Sequence, residues 1–290
     1  MPSIQKILVP VVFTEPYRHL LQQAAWLARR FHAEIVLLHV VTPLGYPAGW
    51  LESGDEITAR DLHARVVERA QKDLDEVLGP ELDGIAVTRV LLRGDPAREI
   101  VKTAHDRDVD LIMMPTRGEA FYSFLLGSVT AKVLHESDRA VWTGAHLEEA
   151  PTGEFSVRRI LCSVDLRPHN RHTLARAAEI AAALDARLTL VHITSSVEFF
   201  GPGGYNVNAE WKKTLVGIAA EEIAKLQKDV GTKAEVIIDS GNVPQLLNKA
   251  AEQTKADVLV IGHIPGRSHW GDNGNGYGII RESRIPVLSV

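Results

Sequence analysis

Short apolar runs alternate with amphipathic stretches along the chain. The runs KILVPVV (6–12) and EIVLLHV (34–40) are short and rich in β-branched residues, as expected for strands buried on both faces of a parallel sheet. Between them, after Pro16, apolar residues recur at helical spacing: Leu20, Leu21, Ala24, Leu27, Ala28 and Phe31. This pattern predicts a strand, a helix and a second strand in succession.

The alternation continues towards the middle of the chain. It predicts a polar helix at 57–78, a strand at 85–92, a helix opened by Asp95 and Pro96, a buried strand at 109–114, a helix beginning near Ser128 and a strand at 140–144. Alternating strands and helices predict a doubly wound parallel α/β sheet with right-handed crossovers. Ligands of such sheets bind beyond the carboxyl ends of the strands, where the strand order reverses.

The unit occurs twice. Residues 4–40 align without a gap on residues 157–193 at an offset of 153, and a second block pairs Gly94 with Gly241. Internal repetition at this length predicts two copies of one domain.

The two copies are predicted at residues 1–147 (copy one) and 157–290 (copy two). The polar stretch LEEAPTGEFSV, residues 147–157, is predicted to join them.

Composition excludes several classes of function. A net charge of -5 argues against DNA or RNA as the main partner. No apolar run approaches the roughly 18 residues of a membrane span. The N-terminus resembles a first strand rather than a signal peptide. Cys162 is the single cysteine, so no internal disulfide can form, and we expect a cytoplasmic protein in which this thiol is a buried, inert residue.

Several segments resemble the universal stress protein family: ILVP, GDPAREI, DLIMMPTRG and FLLGSVTAKVLHESDRAVWTG in copy one, and ILCSVDL, LVHI, DVLVIGH and RIPVLSV in copy two. The resemblance covers nearly all of both copies. It implies two tandem Rossmann-like domains, related to adenine nucleotide alpha hydrolases, with ATP as the ligand and Mg²⁺ as its companion ion.

The family pattern also implies site residues. ATP-binding members carry Gly, two residues, Gly, nine residues and then Gly-Ser or Gly-Thr around the phosphates. An aspartate after the first strand contacts the adenosine, and the residue after the histidine of the second strand packs on the base. In copy one the matching positions hold Val12, Val40, Pro115, Gly118 and Gly127-Ser128, with eight residues between Gly118 and Gly127. Copy one thus keeps half of a phosphate cradle and lacks the adenosine anchor.

Copy two departs from the pattern differently. Asp165 and Ile193 occupy the aspartate and base-packing positions, and Gly262 is the first glycine. The second glycine is replaced by Pro265 with Gly266 one place late, and Asn273-Gly274 stands where Gly-Ser is expected. The glycine-dense loop 262–278 is either an anion nest to which Arg267 adds charge or a degenerate, flexible loop. We therefore expect copy two to be the better nucleotide site.

Some assignments stay open at this point. Gly127 and Ser128 are either phosphate ligands or a helix cap with Ser128 as N-cap, and Gly127 is expected to need a conformation or close approach that only glycine permits. Asp165 is either an adenosine contact or a turn residue. The aromatic loops 43–56 and 198–211 are either a contact surface or local packing.

The histidines favour structural roles. His39 and His192 close equivalent buried strands and are expected to be structural. No cysteine or carboxylate cluster completes a zinc site around the remaining candidates, so no metal site is predicted: His169, His172, His263 and His269.

No catalytic set emerges, because the chain has no G-x-S-x-G elbow, no Walker lysine and no paired carboxylates at matched positions. The leading hypothesis is a nucleotide-responsive regulator of the stress response, with ATP hydrolysis slow at most. The main alternative is a scaffold of the same fold that acts through dimerisation, the aromatic loops and unknown protein partners. An adenine-nucleotide-dependent enzyme is a distant third.

The resemblance also implies an assembly. In the family, the last strands of two units pair antiparallel. Here these strands lie at 140–144 and 285–290, and a joint of about ten residues gives an effective concentration in the millimolar range. We expect an internal pseudo-dimer through the final strands, so that a homodimer uses other surfaces.

Overall fold

The computed structural model describes nine ranges of the chain: 4–13, 17–42, 56–77, 80–116, 127–144, 155–167, 170–194, 209–263 and 276–290. Within the described ranges, copy one contains five strands and four helices in alternation, in the order β1 (Lys6–Pro10), α1 (Tyr17–Phe31), β2 (Glu34–Val41), α2 (Glu56–Glu76), β3 (Val87–Arg93), α3 (Pro96–Asp106), β4 (Leu111–Met114), α4 (Ser128–Glu136) and β5 (Ala140–Thr143). A short 3₁₀ turn, Pro80–Leu82, precedes β3.

Copy two repeats this order. Its elements are β6 (Arg159–Ser163), α5 (Asn170–Leu184), β7 (Arg187–Thr194), α6 (Ala209–Val230), β8 (Glu235–Ser240), α7 (Val243–Thr254), β9 (Val258–Ile261), α8 (Gly276–Glu282) and β10 (Val287–Ser289). The predicted α/β alternation is therefore confirmed in both copies. The domain bounds 1–147 and 157–290 stay a prediction.

The ten described strands form one sheet, in the order β3-β2-β1-β4-β5-β10-β9-β6-β7-β8. Pairing within each copy is parallel, and only β5 and β10 pair antiparallel among the described strands. Trp142 lies opposite Leu288, and the pairs Val141–Ser289 and Thr143–Val287 flank it. The expected antiparallel pairing of the final strands is confirmed, and Trp142 and Leu288 form its central residue pair.

Alternate strand residues enter two core layers, one on each face of the sheet. Ile7 and Val9 of β1 belong to the layer that also holds residues of α1, α2, α5 and α6, whereas Leu8 belongs to the layer that holds residues of α3, α4, α7 and α8. Each layer contains residues of both copies, so apolar packing continues across the β5–β10 pair. Within this packing the Trp142 Nε1–H donates to Gln23 Oε1 at 2.9 Å.

The end of the joint differs from the polar tether that was predicted. The Phe155 ring lies edge-on to Trp26, with 5.4 Å between ring centroids, and 6.2 Å from Trp142. Val157 is 1% exposed. The last residues of the joint thus belong to the core because they carry an aromatic and a β-branched side chain.

Among the described residues, no helix has the length and apolarity that crossing a membrane requires.

Candidate nucleotide site

The strand order reverses twice, once beside β1 and β4 and once beside β6 and β9. The loops that follow these strands leave the carboxyl edge of the sheet, where ligands of doubly wound sheets bind. Because β5 and β10 are antiparallel, the carboxyl edges of the two copies face opposite ways. The structure thus has two separate candidate sites.

Strand register brings three of the predicted residues of copy two together. Ser163 pairs with Val191, and Asp165 and Ile193 each lie two residues further on. Cys162 pairs with Val260, two residues before Gly262. Asp165 and Gly262 therefore lie just beyond the ends of β6 and β9 at the carboxyl edge of the sheet, and Ile193 lies at the same edge near the end of β7, where it pairs with Asp239 of β8.

The Asp165 carboxylate is held by its own loop. Oδ1 accepts from the Arg167 backbone N–H at 3.1 Å and from the Asn170 side-chain amide. Oδ2 lies 3.4 Å from Arg167 Nε, and 45% of the aspartate side chain is exposed. Asp165 thus makes the bonds of a turn residue, and part of its carboxylate faces solvent, so that an adenosine contact stays a prediction.

Asn170 is a member of this site that the sequence analysis missed. Its side chain is buried at the start of α5, with Oδ1 accepting from the Asp165 N–H at 3.0 Å. The 153-residue offset places Tyr17 at the equivalent position of copy one. Copy two therefore has Asp165 and Asn170 where copy one has Val12 and Tyr17, and this paired difference is the sequence signal that points to Asn170.

The equivalent position in copy one offers no charge. Val12 is 37% exposed, and the Phe13 ring lies 4.6 Å from the His39 ring, centroid to centroid. Val40 is half-buried against the core, as Ile193 is in copy two. An apolar residue is present at this position in both copies, and Asp165 of copy two is matched by Val12 in copy one.

The helix cap near Gly127 differs from expectation. Gly127, not Ser128, is the N-cap of α4, and Ser128 is the exposed first residue of the helix. Gly127 has φ −56° and ψ 137°, which any residue adopts, so the expected glycine-only conformation is wrong. The close approach expected there stays a prediction.

Part of the copy-one cradle is already engaged internally. The Gly127 N–H donates to Thr116 O at 3.1 Å, and Thr130 Oγ1 donates to Pro115 O at 2.8 Å. These bonds close the base of the loop onto α4, and they use one of the backbone donors that a phosphate would need.

Other predicted residues lie outside the described ranges. These are the glycines Gly118, Gly266 and Gly274, both aromatic loops apart from the start of α2 and α6, and His169, His269, Pro265 and Arg267.

Two histidines have the structural role expected of them. His39 Nδ1 donates to Val11 O at 2.8 Å, and His192 Nδ1 donates to Val164 O at 2.7 Å. Each bond fixes the loop that follows the first strand of its copy to the second strand. His39, which precedes Val40, thus helps to place Val12. His192, which precedes Ile193, helps to place Asp165 in the same way.

His263 connects the copies, which the sequence did not indicate. It follows Gly262; its backbone N–H donates to Val290 O at 2.7 Å, and Nε2 lies 3.3 Å from Ser137 O of copy one. Burial lowers the pKa of His263, and the nearby His135 adds to that shift, whereas the Ser137 carbonyl opposes it. The imidazole is therefore neutral at pH 7.

Neither thiol nor metal chemistry finds support in the described part of the chain. Cys162 is fully buried, and burial raises the pKa of its thiol to about 12, which keeps it protonated. Within the described ranges, no group of three His, Cys, Asp or Glu side chains is arranged to hold a metal ion.

Comparison with known proteins follows the same division of the chain. The Universal stress protein family matches residues 3–143 and again residues 156–290. The chain belongs to this family. A universal stress protein of Methanothermobacter thermautotrophicus is 36% identical over 132 residues, 45% of this chain and 88% of the relative. One of Methanocaldococcus jannaschii is 30% identical over 151 residues, 47% of this chain and 92% of the relative. Each relative thus corresponds to about one copy.

Solved structures of tandem length share the whole fold. A universal stress protein from Archaeoglobus fulgidus has a TM-score of 0.61 at 20% identity, covering 99% of this chain and 96% of its own. A functionally unknown protein from Pseudomonas aeruginosa has a TM-score of 0.65 at 16% identity, covering 99% of this chain and 92% of its own. This universal stress protein therefore has a tandem fold found in other proteins.

Proposed function

We propose that this universal stress protein binds an adenine nucleotide, ATP, in copy two, and that nucleotide occupancy regulates its part in a cytoplasmic stress response. The observation that carries the proposal is the Asp165 carboxylate, which is partly exposed beside Ile193 and Gly262 at the switch point of the sheet. The equivalent residue of copy one is Val12, whose side chain has no hydrogen-bond acceptor.

The chemistry of these residues suits a nucleoside. A carboxylate oxygen accepts hydrogen bonds from hydroxyl or amino groups, and charge-assisted bonds of this type are stronger than neutral ones. Ile193 offers an apolar surface on which a flat base can pack, and Gly262 adds no side chain beside it. Mg²⁺ arrives as the companion of the ATP phosphates.

We propose a binding protein rather than an enzyme, with ATP hydrolysis slow at most. Asp165 Oδ1 is already engaged by Asn170 and the Arg167 N–H, an arrangement that orients a ligand rather than abstracts a proton. Regulation then requires that ATP bind one conformation, or one complex with a protein partner, more tightly than another.

The scaffold alternative has specific support in copy one. Val12 lacks the carboxylate, Pro115 lacks a backbone N–H, and the Gly127 N–H is bonded to Thr116 O. Copy one then contributes the β5 edge and its share of the core instead of a ligand site. A homodimer, if this chain forms one, uses surfaces other than β5 and β10.

The test is a titration of the purified chain with ATP, preceded by denaturation of the protein as purified and chromatography for released nucleotide. We expect Asp165→Ala to abolish ATP binding and Val12→Ala, at the equivalent position of copy one, to leave it unchanged. Equal loss in both variants, or in neither, contradicts the assignment of the site to copy two. Absence of ATP binding by the wild-type chain favours the scaffold.

A further inference from the structure

Asn170 ties the loop after β6 into one fixed shape. Its Oδ1 accepts from the Asp165 N–H at 3.0 Å, and its Nδ2 donates both to Asp165 Oδ1 and, at 3.0 Å, to Arg167 O. Its own backbone N–H donates to the same Arg167 carbonyl at 3.0 Å. Four bonds from one buried residue therefore span the loop, and two of them end on the residue proposed to bind the ligand.

The loop needs such a clamp because its backbone is unusual. Leu166, between Asp165 and Arg167, has φ +61°, the left-handed region that residues other than glycine rarely adopt. The equivalent residue of copy one is Phe13, and it is not among the left-handed residues. The carboxylate, the left-handed turn and the clamping amide thus occur together in copy two, whereas copy one has Val12, Phe13 and Tyr17.

The two carboxylate oxygens have different surroundings. Oδ1 is bonded to the Arg167 N–H and the Asn170 amide inside the loop. Oδ2 faces the Arg167 guanidinium, with Nε at 3.4 Å, and half of the arginine side chain is exposed. An ion pair between partly exposed side chains is weak and easily displaced. Oδ2 is therefore the oxygen at which a ligand competes with Arg167.

We propose that Asn170 positions the Asp165 carboxylate for the nucleoside and that Arg167 competes with the nucleoside for Oδ2, so that these two residues set the affinity of the site. The inference rests on the proposed nucleotide function of copy two. Asn170 acts through Asp165 and is a positioning residue. Arg167 acts as a built-in competitor, because a nucleoside hydroxyl or amino group must replace its guanidinium.

A double-mutant cycle measured by ATP titration tests the positioning role. We expect Asn170→Ala to weaken ATP binding at least about fivefold in the parent chain. In the Asp165→Asn background, which keeps a weaker, neutral acceptor and measurable binding, we expect Asn170→Ala to cause a clearly smaller loss. The matched control is Asn242→Ala, which removes the amide N-cap of α7, whose Oδ1 accepts from the Gln245 N–H at 3.1 Å, without touching the Asp165 loop. We expect the control to lower the melting temperature but not the affinity.

Amide hydrogen exchange reports the clamp without any nucleotide. We expect the Asp165 amide to be protected in the parent chain and to exchange faster in Asn170→Ala.

ATP titration of Arg167 variants tests the competitor role. We expect Arg167→Ala to tighten ATP binding two- to tenfold, and we expect the affinity of Arg167→Lys to lie between those of the parent and Arg167→Ala. Weaker binding by Arg167→Ala overturns the competitor role and points to a contact between Arg167 and the phosphates.

The outcomes separate the two proposals. If Asp165→Ala abolishes binding and Asn170→Ala matches the parent, or if Asn170→Ala weakens binding equally in both backgrounds, the positioning role is wrong and the proposed function stands. If the parent chain binds no ATP, both proposals are wrong.

Discussion

At the scale of single residues, His263 makes stability depend on pH. Burial lowers its pKa, so the unfolded chain takes up a proton near pH 6.5 when the folded chain does not. The free energy of unfolding therefore falls as the pH drops below about 6.5, by at most about 1.4 kcal/mol per pH unit for this one proton, until the lowered pKa is reached. When unfolding by denaturant is measured between pH 5 and 8, the free energy of unfolding should fall less steeply with decreasing pH in His263→Asn than in the parent.

Identical slopes in His263→Asn and the parent contradict a buried, neutral imidazole at the contact with Ser137.

Residues that act through other residues are the hardest to find in a sequence. Asp165 stands at a position that the family pattern marks, whereas Asn170 gains its role from a left-handed turn at Leu166 that no residue type there announces. One of the two alternatives for Ser128 was an N-cap, because hydroxyls favour that position, but the N-cap of α4 is Gly127, one residue earlier. The role of Asn170 and the start of α4 both depend on the backbone geometry of a loop, and the preference of a residue type for a position does not reveal that geometry.

At the scale of elements, two glycines of copy two should respond oppositely to the same change. Gly241, before α7, has φ +148°, and an added Cβ would lie 3.2 Å from Leu246 Cδ1. Gly217 lies within α6 with open space around it. We expect Gly241→Ala to destabilise the protein by about 1–3 kcal/mol and Gly217→Ala to stabilise it by about 0.5–1 kcal/mol.

Chemical denaturation gives the free energy of unfolding of the two variants. A change of the same sign in both would contradict the different backbone conformations and surroundings described for Gly241 and Gly217.

Helix boundaries were predictable where the hydrophobic pattern and the capping residue indicated the same position. Asp95 caps α3, with Oδ1 accepting from the Arg98 N–H at 3.0 Å, and Pro96 is its first residue, as predicted. The polar helix predicted at 57–78 is α2, Glu56–Glu76. The joint was predicted less well, because a polar composition does not reveal that Phe155 reaches Trp26 and Trp142.

At the scale of the whole molecule, β10 covers the edge of β5. We expect deletion of Val287 to Val290 to expose that edge and to produce new intermolecular dimers or aggregates, seen by size-exclusion chromatography with light scattering. Leu288→Ala removes a buried side chain but keeps the strand, so this control should lower the melting temperature and leave the chain's size unchanged. A truncated chain with the parent's size and melting temperature would refute the role of β10.

The fused pair of copies also has a genetic consequence. In a symmetric homodimer one gene encodes both halves, so every substitution appears twice and a site lost in one half is lost in the other. Here the halves are joined by the pairing of β5 with β10, and their site residues are encoded separately. Val12 and Tyr17 could therefore replace the polar pair in one half while Asp165 and Asn170 stayed in the other. Fusion lets one half diverge while it still completes the sheet of its neighbour.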